Sequence, residues 1–297
     1  MKLYVRMRGG LGNQMFQYAY ALALRERYPA SEIWMDIREY EHYKRRSFAL
    51  TDFKLADNTH VFSSGRLRYD LPIKAYHVYQ RLYREIRGKS PYGMDPSLAR
   101  RGLILTGTGC PLPAADLPEE TFLYGYFQNA EILLPIRETL REAFSLPDAG
   151  SSKVSGLLRC LGDDCAAVSI RLGNDIVQSG WQLCSRDYYR AGIEAIRQTH
   201  SINRLLIFSD APERVAEEKW FEDMGLELCF TTGLSPSEQM ELLKNCRHFV
   251  ISNSTFAWWG AFLGAAKTNG VIVAPKLWQG NLPTDQTKLF FKNMILK

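Results

Sequence analysis

The 297-residue chain predicts an α/β protein of two Rossmann-like domains facing a central cleft. Three observations carry that expectation. Short apolar and β-branched runs alternate with helical patterns in both halves, the mark of parallel sheets covered by helices. The length suits about two domains at roughly 150 residues each. The stretch Leu146-Pro147-Asp148-Ala149-Gly150-Ser151-Ser152 reads as a linker, which places one domain at 1–150 and a second at 151–297.

The elements follow in order. Leu3–Met7 predicts a strand, residues 8–13 a glycine-rich turn, Gln14–Arg27 a helix and Glu32–Asp36 a second strand. Residues 41–120 are patchy, with Pro and Gly breaks around a basic helix. Thr121–Tyr126 reads as a strand and Glu131–Phe144 as a helix interrupted at Pro135. The second half is more regular. Its strands are expected at Ala166–Leu172, Arg204–Phe208, Leu226–Phe230, Phe249–Ile251 and, last, Val271–Ala274. Helices are expected at Arg186–Thr199, Glu213–Trp220, 235–245 and Thr255–Leu263. Ser235-Pro236-Ser237-Glu238 is a capping box with proline at the first helical position.

Composition narrows the function classes. Hydrophobic content of 46% and charged content of 23% exclude a disordered chain, a collagen and a coiled coil. The longest nearly apolar run, Phe256–Ala266, is well short of the ~20 residues a spanning helix needs. No long apolar stretch precedes Arg6 and Arg8, so no signal peptide is expected, and the cytoplasm, including the inner membrane face, is the expected location. The six cysteines form no C-x-x-C, and His248 near Cys246 lacks a second Cys/His pair, so reduced thiols and no metal are expected.

The net charge of +5 is concentrated. Arg66, Arg68, Lys74, Arg81, Arg84, Arg87 and Lys89 crowd residues 66–89 against Asp70 and Glu85, and Tyr76, Tyr79 and Tyr83 recur at helical spacing. Two readings stand: a solvated helix packing its tyrosines on the core, or a peripheral contact with an anionic membrane or acceptor. No nucleic acid partner is expected, since the charge lies on one element without a recognition motif.

In an open parallel sheet, ligands bind beyond the carboxyl ends of the strands. Four segments deliver polar groups there: Arg8 to Gln14, Arg171 to Asp175, Ser209-Asp210, and Ser252-Asn253-Ser254-Thr255. Together they suit an anionic nucleotide. Ser254 or Thr255 opens a helix whose N-terminus makes a phosphate site, with plain capping the alternative. Arg171 suits a bidentate pyrophosphate clamp or an ion pair with Asp175. Asp210 accepts from a guanine edge or a ribose, or caps the next helix. Trp258 and Trp259 read as core. Gly10-x-Gly12 begins a dinucleotide fingerprint, but Met15 stands at its third glycine. The amides of Asn13 and Gln14 better suit sugar hydroxyls or phosphate oxygens.

These residues carry a resemblance. The run from Gly9 to Ala19 (GGLGNQMFQYA) resembles the N-terminal signature of the α-1,2-fucosyltransferases, glycosyltransferase family 11, and Ser252 to Trp259 (SNSTFAWW) is similar to that family's C-terminal motif. Tyr124 to Gln128, Tyr188-Tyr189 and Phe208-Ser209-Asp210 fall between them in matching order. The resemblance implies a GT-B fold and inverting transfer of L-fucose from GDP-L-fucose to the 2-hydroxyl of a galactose-terminated oligosaccharide or lipid-linked glycan. No cofactor or metal is implied, and no D-x-D is present. Arg171, Asn13 and Asp175 are the catalytic candidates, Asp175 as the acid that sequence logic puts nearest the cleft. Gly10, Gly12, Gln14, Ser169, Gly173, Ser209, Asp210, Ser252, Asn253, Ser254 and Thr255 would bind the donor. Where the family shows His-x-Arg-Arg-Gly-Asp, this chain has Ser169, Arg171, Leu172, Gly173 and Asn174, with Asp175 one place on; Ala211 replaces a second Asp. The competing readings are a transferase with another nucleotide sugar, a GDP-sugar-binding protein without turnover, and a nicotinamide oxidoreductase.

Overall fold

Apolar strands separated by amphipathic helices assemble into two parallel sheets, each in its own unit. The computed structural model describes all residues but 43–46, 66, 88–93, 148–151, 160, 174–181, 265–269, 280–281 and 292. Asn174 and Asp175 therefore lie outside the described residues. Unit 1 comprises Met1–Thr51 and Leu55–Ala143; unit 2 comprises Asp52–Lys54 and Phe144–Lys297.

Unit 1 contains β1 (Lys2–Arg6), β2 (Glu32–Asp36), β3 (Thr59–Phe62), β4 (Leu103–Leu105) and β5 (Glu120–Tyr124). Their order is β3-β2-β1-β5-β4, parallel throughout. Helix α1 (Leu11–Arg25) is buried from Leu11 through Leu24 except at Asn13. It begins three residues before the predicted start, because Leu11 is already core and extended Gly10 (φ −78°, ψ 173°) serves as N-cap. The patchy middle contains β3, β4, α2 (Asp70–Arg87) and α3 (Pro96–Ala99). The helix expected over 131–144 is split into α4 (Ala130–Leu133), a 3-10 turn Leu134–Ile136 and α5 (Arg137–Ala143). Pro135 lacks the amide that a continuous helix needs.

Unit 2 contains β6 (Cys165–Ile170), β7 (Arg204–Ser209), β8 (Glu227–Phe230), β9 (His248–Ile251), β10 (Ile272–Ala274), a small antiparallel pair β11 (Leu277–Gln279) and β12 (Leu282–Pro283), and β13 (Met294–Leu296). Its main sheet runs β13-β10-β9-β6-β7-β8, all parallel. The expected last strand is therefore not the last. The three-residue Met294–Leu296 run is too short to show a period, and pairing with Ile272–Ala274 makes it a strand. Central β6 is buried at every position, as a parallel strand covered on both faces must be.

Helices α6 (Ser152–Arg159), α7 (Arg186–Arg197), α8 (Pro212–Glu217), α9 (Pro236–Leu243) and α10 (Thr255–Gly264) accompany this sheet. The α10 sequence is apolar on all sides and buried, as such a helix has to be. Trp258 and Trp259 are both core, and the Trp258 indole N–H donates to Leu289 O at 2.7 Å. The capping box forms as its sequence predicts, with Glu238 N–H on Ser235 Oγ (3.2 Å) and Ser235 N–H on Glu238 Oε2 (2.9 Å). Cys110, Cys165, Cys184, Cys229 and Cys246 are free thiols.

A buried cation fixes the chain at the start of unit 2. Lys244 Nζ donates to Phe144 O (2.9 Å) and Ser145 Oγ (2.7 Å) and pairs with Glu241 Oε2 (2.8 Å), while only 2% of its side chain is exposed. Glu241 also accepts the Leu146 N–H, and Ser237 Oγ donates to Asp52 Oδ2 at 2.6 Å. Removing one partner of such a pair strands the rest. Lys244→Met is expected to lose about 3 kcal/mol or more of unfolding free energy, against about 1 kcal/mol for the cap variant Ser235→Ala. Urea denaturation reads both. A Lys244→Met loss no larger than that of Ser235→Ala would show the ammonium to be dispensable.

Candidate functional site

In unit 2 the sheet register brings the chemistry to one edge. Ser169 pairs with Phe208 and Ile251, and Ile170 with Ser209, so Arg171, Asp210 and Ser252 all follow strand ends at the same level. Asp210 organises them. Its Oδ1 accepts the Leu172 N–H (2.8 Å), its Oδ2 accepts the Gly173 N–H (3.1 Å), and Oδ2 lies 3.2 Å from Arg171 Nε. Asp210 does not cap α8, whose N-cap is Ala211, without a side-chain bond. Its carboxylate instead shapes the 171–173 turn and orients the guanidinium. Leu172, where the family motif has its second arginine, is 7% exposed and joins the core with Ile170 and Val215. Ser209 Oγ accepts the Ala211 N–H at 3.1 Å.

The serine-rich motif divides into structural and open groups. Asn253 gives its amide hydrogens to Gln182 O (3.0 Å) and Trp278 O (3.2 Å), tying the segment before α7 and strand β11 to the end of β9. Ser252 N–H donates to Ser169 O at 3.1 Å, while Ser252 Oγ is buried without a partner among the described residues. A buried unpaired hydroxyl calls for a ligand or a water. Ser254 stands at the N-cap of α10, its carbonyl taking the Trp258 N–H at 2.9 Å, and Thr255 opens the helix. First-turn amides and the dipole make that terminus favourable for an anion.

Two features here are not apparent from the sequence. The Tyr188 hydroxyl lies 2.6 Å from Ile251 O and 3.2 Å from Val273 O, bridging the ends of β9 and β10, and burial pushes its pKa well up. Beyond β7 and β8 lies an open hollow of about 170 Å³, lined by Ser209, Glu213, Thr231, Thr232, Gly233 and Gln239 among others. Ser209 adjoins Asp210, so the hollow lies next to the Arg171 turn.

In unit 1 the glycine turn is a rigid device. Gly9 has φ +78°, and an added Cβ would come within 2.8 Å of Asn13 Nδ2. Gln14 is fully buried, donating to Gly9 O (3.1 Å) and Ser47 O (2.8 Å) and accepting the Ala49 N–H (3.0 Å). Its amide is committed to the fold rather than open to a sugar. Gly10 is the N-cap of α1 and Gly12 lies in its first turn. Half-buried Asn13 accepts from Gln128 Nε2 at 3.1 Å. Gln128 follows Phe127, whose left-handed backbone (φ 50°) is held by stacking of its buried ring on Tyr20, with centroids 4.2 Å apart.

Two polar clusters occupy the carboxyl ends of β1, β2 and β5. In the first, fully buried Asp36 takes Arg6 Nε (2.6 Å) and Arg38 Nη2 (2.8 Å), while Asp70 takes Arg6 Nη2 and Arg38 Nη2, both at 2.8 Å. Partial burial would raise the Asp70 pKa, but the Arg38 hydrogen bond, the Leu67 amide and the two guanidinium charges hold it at about 2. In the second, Arg8 donates to the Tyr124 hydroxyl, which lies 2.7 Å from His77 Nε2. The Arg8 guanidinium also sits 5.4 Å from the Tyr126 ring centroid and 3.5 Å from Glu39. Desolvation and the Arg8 charge push the His77 pKa down. Arginine only donates, so the Tyr124 hydroxyl accepts from Arg8, and the imidazole tautomer sets the direction of its bond to His77. Tyr124 and Arg8 flank motifs visible in the sequence. His77 sits inside the basic helix, and no local pattern marks it.

The low Asp70 pKa has a consequence for acid stability. Because it lies below the unfolded value, the stabilisation is present above about pH 4 and is lost as the pH falls through about 2. Asp70→Asn is expected to lower stability at neutral pH and to flatten the profile between pH 4 and 2, measured by circular dichroism during urea unfolding. An unchanged slope in the variant would remove Asp70 from the acid transition.

The profile of the family described as Glycosyl transferase family 11 matches residues 106–292. In sequence the chain is 26% identical to an alpha-1,2-colitosyltransferase of Escherichia coli over 284 residues, covering 92% of this chain and 91% of that protein. It is 24% identical to the O-antigen biosynthesis glycosyltransferase WbnK of Escherichia coli, covering 93% and 94%. In structure it resembles the NodZ alpha-1,6-fucosyltransferase soaked with GDP-fucose, with a TM-score of 0.54 and 13% identity over 88% of this chain and 92% of that one. That likeness shows the fold, GT-B, with two Rossmann-like units. A profile match over most of the chain and two relatives aligned along nearly all of it make this protein a member of glycosyl transferase family 11.

Proposed function

We propose that the protein transfers L-fucose from GDP-L-fucose to the 2-hydroxyl of a galactoside, with inversion and without a metal, in the synthesis of a surface glycan. Unit 2 would hold the donor and unit 1 the acceptor. The observation that carries the reading is Arg171, braced by Asp210 at the sheet edge that also presents Ser252 and the start of α10. The acceptor oxygen attacks the anomeric carbon as its bond to the β-phosphate oxygen breaks. The acceptor hydroxyl loses its proton, and GDP departs with charge growing on the β-phosphate. Arg171 and the first-turn amides of α10 would stabilise that charge, a preorganised electrostatic role that commonly dominates catalysis. The hollow beside Ser209 offers the base a hydroxyl-lined seat with the Glu213 carboxylate to accept from its edge. Asn13 would face the sugar or acceptor, and Asp175 would take the proton. The absence of a D-x-D in the sequence supports metal independence.

The name of the colitosyltransferase relative favours a second donor, colitose, a sugar that differs from L-fucose by one hydroxyl. The two donors share the nucleotide and the leaving group, so competition between GDP-fucose and GDP-colitose separates them. The binding-only and oxidoreductase readings differ at the nucleotide or at turnover.

Thermal unfolding with GDP, UDP or NAD, each with and without EDTA, tests the nucleotide. A ligand at a hundred times its Kd adds about 2.7 kcal/mol, which is several degrees in Tm. A shift with GDP alone, indifferent to EDTA, is expected. A UDP or NAD shift instead would overturn the donor assignment. Arg171→Ala is expected to lower kcat by on the order of 10²–10³, and near-wild-type turnover would remove Arg171 from catalysis.

A further inference from the structure

The outer face of α2 is built the wrong way round for a soluble helix. Ile73 is buried and Tyr76 partly so, both packed with Tyr69, Phe122 and Tyr124. The opposite face exposes large apolar side chains: Leu71 76%, Val78 60%, Tyr79 49%, Leu82 51% and Ile86 78%. At about 100° per residue these five fall within one arc of about 100°. That is the width of stripe by which helices normally enter a core, and here it faces solvent.

The stripe is bordered by cations. Lys74 and Arg81 lie along one side and Arg87 ends the helix, all three exposed. Arg68 precedes the helix, and Arg84 adds a further charge in the sequence. Two acids oppose them. Glu85 pairs with Arg81 at 3.1 Å, and Asp70 is turned inward onto Arg6 and Arg38. The Asp70 pairs also anchor the first turn of α2 to the ends of β1 and β2, so the helix presents its stripe from a fixed base.

We infer that α2 is an interfacial helix that seats the protein on an anionic lipid surface, with Leu71, Val78, Leu82 and Ile86 entering the acyl boundary and Lys74, Arg81 and Arg87 at the headgroups. A polar face rich in Lys and Arg beside an apolar face is the pattern that lies in a membrane plane. Charge decides between occupants. A second copy docking by the same stripe would bring like charges from Lys74, Arg81 and Arg87 together, whereas anionic headgroups complement them. No helix among the described residues is long and apolar enough to cross a membrane, so the contact is peripheral. The inference goes beyond the donor chemistry and is independent of which sugar is transferred.

The test is co-sedimentation of the full chain with vesicles of phosphatidylglycerol mixed with phosphatidylcholine, against phosphatidylcholine alone, at low and high salt. Pelleting with the anionic vesicles and its loss in salt are expected. Two exposed double variants separate the terms: Leu71→Ser with Ile86→Ser removes apolar area, and Lys74→Gln with Arg87→Gln removes charge. Each is expected to lower partitioning about tenfold or more. Circular dichroism and the GDP-dependent Tm shift should stay at wild-type values, which excludes misfolding. Failure of anionic vesicles to pellet the wild type, or pelleting indifferent to both variants, would overturn the inference. So would a solution dimer that the Leu71→Ser, Ile86→Ser variant converts to monomer. Loss of the GDP shift in the wild type would sink the donor assignment and leave the lipid result untouched.

Discussion

A parallel sheet buried on both faces has one place for polar chemistry, the carboxyl ends of its strands. Both units obey this constraint. Strand β6 is apolar or small and buried along its whole length, and the first charged side chain after it is Arg171. In unit 1, β1 and β2 deliver Arg6, Arg8 and Asp36 at the same kind of edge. Charges gathered there are partly desolvated, so each needs a partner, and the partners decide the geometry. Asp210 answers Arg171; Asp36 and Asp70 answer Arg6 and Arg38.

Those partners separate groups that build the site from groups left for a ligand. Gln14 and Asn253 stand in the most legible motifs, yet their amides bond backbone carbonyls and an amide N–H. They hold loops in place. Ser252 Oγ has no such commitment among the described residues. The change from arginine to Leu172 reads in the same terms. Its side chain fills the core beside Ile170, which leaves Arg171 as the cation this turn presents.

In unit 1 the Arg8–Tyr124–His77 chain and the inverted α2 share one element. His77 lies on the face of α2 that meets the sheet, while Leu82 and Ile86 lie on the face that meets solvent. A single helix thus carries one polar cluster inward and one apolar stripe outward, and the Asp70 ion pairs fix its start.

The amino-acid sequence by itself determined the α/β class, most strands of unit 2, the capping box at Ser235 and the strand-end segments from which the candidate site is drawn. These are local signals: apolar runs, a cap at fixed spacing, polar residues following a strand. Tertiary structure decided what the local signals leave open. The Met294–Leu296 strand exists only because β10 offers it an edge, and Asp210 serves the 171–173 turn rather than α8 because β6 and β7 lie side by side. His77 joins Tyr124 across 47 positions of sequence. The basic helix has tyrosines and cations in its sequence, but which face turns outward depends on where Ile73 and Asp70 find their partners. Periodicity fixes spacing along a helix; only packing fixes its rotation.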